Sequence, residues 1–208
     1  MNHPSAQVRR AFVDAVNSFL ETAALIGADQ WGDVGTDRWT VLELFAHTAR
    51  GMNVIGDYLD VELDPSTTAT VDGASTYFRI ALSIEGVHEG VAQRAVTAVE
   101  QYRDDPLSAA HEVADRIGER VASTPDDRVM KVFFETIRFS DYLVTRVVEL
   151  VLHTFDLQLA CGLELTAPAT SLEFVDDILI SLVDRAEPLA LALALSGRTS
   201  SRVCNVLG

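Results

Sequence analysis

RVVELVLHTFDLQLACG, residues 146–162, reads as a helix buried over most of its circumference. Its charged and imidazole groups are Arg146, Glu149, His153 and Asp156. At about 100° per residue these four fall within an arc of about 80°. The rest of the circumference is apolar, with Val147, Val148, Leu150, Val151, Leu152, Phe155 and Leu157. A helix apolar on so many faces packs against several neighbours at once. Its polar stripe therefore faces either solvent or an internal polar site. The pattern predicts a long helix from about Ser140 to Cys161, stopped at Gly162.

Working outward, the same periodicity recurs on both sides. Upstream, Pro125-Asp126-Asp127 precedes a β-branched and aromatic run, Val129–Phe134, that reads as an extended hairpin edge. Helices are expected at about 108–123 and 74–103, with Asp105-Pro106 as the break between them. Asp64–Gly73, rich in Pro, Ser, Thr and Asp, reads as a loop. Thr40 and Glu43 have capping-box spacing ahead of Val41, Phe45, Met52, Ile55 and Leu59, so a helix opens at Thr40 and fades near Leu63. Val8, Phe12, Val16, Phe19, Leu20 and Ala23 mark a first helix, broken by Gly27 and the Gly32/Gly35 region. Downstream, a last helix is expected over 171–196, kinked or split by Pro188, followed by an irregular tail from Gly197. Long amphipathic helices with short connections predict an all-α protein, an antiparallel four-helix bundle. The bundle is assigned to residues 1–165, and 166–208 to a C-terminal helical extension packed on it.

Composition narrows the function. The chain has 208 residues, of which 48% are apolar, enough for one domain with a real core. Acidic residues outnumber basic ones 31 to 16, for a net charge of −15. Such a surface repels nucleic acid and anionic membrane. Small anionic substrates stay open, because one local cation or metal reverses the field. No run of about 18 apolar residues lacks charge, and MNHPSAQVRRAF lacks the basic-then-apolar order of a secretory signal. A cytoplasmic location is expected. Cys161 and Cys204 form no CxxC pair and read as buried thiols.

Glu149 and His153 stand at i and i+4, a spacing that lets two side chains converge on one ion. The same spacing also describes an ordinary pair on a solvated edge. His47 lies two turns into the capped helix, in WTVLELFAHTA, where a satisfied boundary histidine is the common alternative to a ligand. His88, with Glu85 and Glu89 nearby, reads as a surface helix residue, and His3 and His111 carry no signal.

Two segments carry a family resemblance. Trp39–Ala49 resembles the W-x-x-x-x-x-x-x-H signature of the DinB-like, or mycothiol-dependent maleylpyruvate isomerase N-terminal, superfamily. Arg146–Asp156 resembles its second signature, R-x-x-E-x-x-x-H-x-x-D. Both occur in the right order, about a hundred residues apart, and the ending LALALSGR…NVLG is similar to that of short actinobacterial members. The resemblance implies a four-helix bundle holding a divalent metal, most commonly zinc, on His47, Glu149 and His153. It also implies an external low-molecular-weight thiol, mycothiol in type, that binds the metal and attacks a small electrophile.

Three protein ligands leave zinc an open position for Lewis acid chemistry or thiol activation. Asp156, one turn past His153, is a candidate to orient an imidazole. Arg146 is a candidate to hold an anionic substrate or thiol group, with an ion pair to a nearby acid as the ordinary alternative. These two are the candidate catalytic groups beside the metal. The full isomerase adds a sizeable C-terminal domain, whereas the segment after Gly162 reads as one or two helices and a tail. Maleylpyruvate is therefore not the expected substrate; Arg198 is a candidate substitute anion contact. The expected function is a metal-dependent, thiol-using transferase or isomerase, with a non-catalytic metal-binding or scaffold protein as the alternative. The expected partners are a small thiol and a small substrate. The apolar last helix, with Leu179, Leu182, Val183, Leu189 and Leu193, also suits a homodimer interface.

Overall fold

The computed structural model describes residues 5–36, 39–85 and 96–183. Six long or medium helices and one hairpin make up most of the described residues. They are α1 (Ser5–Ala24), α2 (Val41–Leu59), α3 (Ala74–Ser83), α4 (Pro106–Ser123), β1 (Val129–Lys131), β2 (Thr136–Arg138), α5 (Phe139–Ala160) and α6 (Ala169–Leu182). Residues 96–102 are also helical. The protein is mainly helical, as expected.

The four long helices close a ring: α1 packs on α5, α5 on α2, α2 on α4, and α4 on α1. Helix α6 lies against α5, α1 and α3. The apolar circumference of α5 is thus shared among several neighbours. Tyr142, Leu143, Val147, Val148, Leu150, Val151 and Leu157 are all buried. Phe45 on α2, wholly buried, joins the layers. Its ring stacks on Phe19 at 5.1 Å and meets Trp31 and Tyr102 edge-on.

Caps set the helix ends. Thr40 accepts the Glu43 backbone N–H through its hydroxyl, and the Glu43 carboxylate accepts the Thr40 N–H at 2.7 Å, the capping box the spacing predicts. Just before it, the backbone of Gly35 lies so close to Thr40 that a Cβ there would stand 2.8 Å from the Thr40 carbonyl oxygen. That approach pairs Val34 with Thr40 and aims α2. At the far end of α5, Leu163 N–H bonds the Gln158 carbonyl and Gly162 N–H bonds that of Leu159. With Gly162 at φ 67°, this is a Schellman stop.

Three boundaries differ from expectation. Helix α2 ends at Leu59, capped by Asp60, rather than near Leu63. Helix α3 ends at Ser83, where Ile84 turns extended at ψ 119°. The extended run Val129–Phe134 yields three strand residues before a turn; Met130 pairs with Ile137, both buried. The hairpin runs straight into α5, and the Phe139 N–H bonds the Arg128 carbonyl. His3, His88, Pro188, Leu189, Leu193, Arg198 and Cys204 lie outside the described residues. No described helix is long and apolar enough to cross a membrane.

Candidate metal centre

Helices α2 and α5 each turn one polar stripe toward the other. On α2 the stripe is His47 and Arg50, followed by Gly51; on α5 it is Arg146, Glu149 and His153, with the apolar Leu150 beside them. These residues and Thr48 line a cavity of about 40 Å³. Arg146, Glu149 and His153 of the polar arc of α5 therefore face a cavity shared with α2, while Asp156, outside its lining, is 41% exposed.

One ligand atom each from His47, Glu149 and His153 lies within 4.8 Å of the other two. The rings of His47 and His153 meet edge-to-face, their centroids 4.8 Å apart. His153 Nε2 stands 3.3 Å from Glu149 Oε2, while its Nδ1 lies 3.0 Å from Asp156 Oδ2. Trp39 stacks on the His47 ring at 4.7 Å and meets His153 edge-on at 6.4 Å. Both the Trp39 Nε1 and the His47 Nδ1 are buried with no hydrogen-bond partner among the described residues.

This donor set fits a divalent ion. Ligands about 2.0–2.1 Å from one tetrahedral ion lie about 3.3 Å from each other, the Glu149–His153 separation. The orphaned His47 Nδ1 sits on an imidazole that burial and the neighbouring charge of His153 keep neutral, its pKa down at about 3. A neutral ring keeps a lone pair free to ligate. Burial opposes the charge on Glu149, but the His153 hydrogen bond and the Arg146 cation overcome it and hold its pKa at about 2. Burial likewise opposes charge on His153, yet the hydrogen bonds to Asp156 and Glu149 raise its pKa to about 9.

The other sequence candidates fall differently. Arg146 forms no ion pair with an acid among the described residues; its Nε donates to Thr145 Oγ1 at 3.1 Å and its guanidinium lies 4.8 Å from the Tyr142 ring centroid. Cys161, at the C-terminal end of α5, is half-buried and outside the cluster, and burial raises its thiol pKa. His111 is exposed on α4. Sequence reasoning missed Arg50 and Gly51. Their signal was present, since they follow His47 by three and four residues, on the same helix face.

A family model described as the mycothiol maleylpyruvate isomerase N-terminal domain matches residues 6–158. The match runs from α1 through both halves of the cluster. No curated protein and no solved structure matches the chain.

Proposed function

The chain belongs to the mycothiol maleylpyruvate isomerase N-terminal domain family, and on that premise we propose that it is a divalent-metal-dependent, thiol-using transferase or isomerase acting on a small electrophilic substrate. The observation that carries the reading is the convergence of His47, Glu149 and His153 on one small cavity. Zinc suits this mixed nitrogen and oxygen donor set, and mycothiol is the thiol we assign.

A divalent ion held there would act as a Lewis acid and lower the pKa of a thiol that reaches it. The chain's own residues prepare for this. His47 is neutral and half-buried against Trp39, so no proton competes for its ring. Asp156 accepts the Nδ1 proton of His153, which fixes the tautomer and leaves Nε2 toward Glu149. Glu149 stays ionised. Among the described residues no cysteine belongs to the cluster, and in our reading an external thiol supplies the sulfur. The reducing cytoplasm, where small thiols persist, is the compartment we assign. The bundle of residues 1–165 carries this chemistry in our reading, with 166–208 as an extension on it.

Cobalt substitution followed by addition of mycothiol tests the proposal. A sulfur-to-metal charge-transfer band in the near ultraviolet is expected, and it should vanish in His153→Ala. An unchanged cobalt spectrum at saturating thiol would favour the second reading, a bundle that keeps the metal site without the chemistry.

A further inference from the structure

We propose that Trp39 is a positioning residue of the metal centre: its indole, stacked on the His47 ring, holds that ring for an ion as Asp156 holds the ring of His153. The proposal rests on the reading of His47, Glu149 and His153 as ligands of one ion, and it needs no thiol.

A ligating histidine usually donates its second ring N–H to a carboxylate or a carbonyl, which fixes the ring. His153 follows this rule through Asp156, at 3.0 Å. His47 has no such bond among the described residues, and its Nδ1 is buried without a partner. Its ring lies instead against Trp39, 28° from parallel, with the centroids 4.7 Å apart. The His153 ring meets it at 85°. Two aromatic contacts, and no hydrogen bond, thus orient the imidazole on α2.

The indole is itself held through its backbone. Trp39 precedes the N-cap of α2, and its carbonyl accepts the N–H groups of Gly35 and Thr36 at 2.8 and 3.0 Å. The first two N–H groups of α2, on Val41 and Leu42, bond the carbonyls of Asp33 and Trp31. From Val41 to His47 the helix rises about 9 Å, and the long side chain of Trp39 spans that distance to lie on the imidazole. Its Nε1 is buried and unpartnered among the described residues, a cost that an aliphatic residue filling the same space would avoid. An imidazole that ligates an ion is poorer in electrons, and is drawn more strongly to the electron-rich face of an indole. The stack therefore favours the ligating ring over the free one, and by linkage it raises the affinity for the ion.

The test uses the full chain, with zinc as the probe. Chelator competition gives its affinity for wild type, Trp39→Phe and Trp39→Leu. Trp39→Leu should weaken zinc binding about tenfold, and Trp39→Phe, which keeps a smaller aromatic face, should lose less. Thr40→Ala is the control: it weakens the same helix start without touching the ring, and should hold zinc within about twofold of wild type. No loss in Trp39→Leu, or an equal loss in Thr40→Ala, overturns the proposal. Fluorescence adds a signature that a merely structural role would not move. Trp31 and Trp39 are the two tryptophans of the chain. In Trp31→Phe, zinc should shift the Trp39 emission saturably, and adding His47→Ala should remove the shift. In Trp39→Phe, zinc should leave the Trp31 emission in place. Circular dichroism checks each fold, and if Trp39→Leu fails to fold, Trp39→Phe and the emission carry the comparison. A Trp39 emission unmoved at saturating zinc overturns the proposal while the metal centre stands. If wild type takes up no zinc, the metal centre itself fails and the proposal with it. Failure of the thiol chemistry alone leaves every one of these readouts unchanged.

Discussion

His153 makes the sharpest demands of any residue in the chain. Its Nδ1 is held by Asp156 and its Nε2 faces Glu149, so one ring serves two carboxylates. Without metal, those partners hold a proton on the ring, with a pKa of about 9 against an ordinary 6.5. Since the folded pKa is raised, this contribution to stability is fully present below about pH 6.5 and lost as pH rises through about 9. A metal must displace that proton. Apparent metal affinity should therefore rise roughly tenfold per pH unit between about pH 7 and 9, then level off. Calorimetry in buffers of different ionisation enthalpy would read one proton released per ion bound at pH 7.5. Release of none would show that His153 is not a ligand. Asp156→Asn keeps the size but loses the charge that orients the ring, and should weaken metal binding about 10- to 100-fold. Competition with a chromogenic chelator measures this; an unchanged affinity would make Asp156 a bystander.

At the scale of elements, α2 and α5 place the site because their ends are fixed independently of it. The Thr40–Glu43 box starts α2, and His47 follows two turns on. The hairpin starts α5, and the Gly162 turn stops it. Thr40→Ala removes one side of the capping box and should cost about 1 kcal/mol, read as a lower urea midpoint at constant slope. Thr40→Ser should retain most of that. Much of this level was legible in advance. The capping box, the Asp105-Pro106 break and the Gly162 stop are local signals, written within four residues of the event they cause, although the helix begins at Pro106 itself and not at about residue 108. The end of α3 at Ser83 was not, because Ile84 has ordinary helix tolerance and no local signal stops the helix there. The length of β1 was also hidden, since its pairing with Thr136–Arg138 depends on the turn between them.

For the whole molecule, the consequence of a site shared by α2 and α5 is that a bound ion ties two sides of the ring together. Zinc at about 1,000 times its Kd should stabilise the fold by about 4 kcal/mol, a rise in Tm of order 10 °C. Scanning calorimetry with and without zinc would measure it, and His47→Ala should lose most of the shift. A full shift in that variant would place the ion away from α2. A second tie is Gln158, 2% exposed, which donates to Thr22 Oγ1 on α1 and accepts the Thr166 N–H. Gln158→Leu strands those groups and should cost about 1–3 kcal/mol, seen in the same urea experiment. The sequence by itself determined the helical class, the helix-end signals, and the chemical identity of a His, Glu, His and Asp set, because periodicity, caps and side-chain type are local properties. Spacing along α5 placed Glu149, His153 and Asp156 on one stripe, but left open whether that stripe met solvent. Tertiary structure alone decided that it faces α2, that His47 meets His153 across the cavity, and that Arg50 and Arg146 share its wall. The reason is physical: α2 and α5 are separated by about eighty residues of chain, and only the packing of the ring sets which of their faces meet.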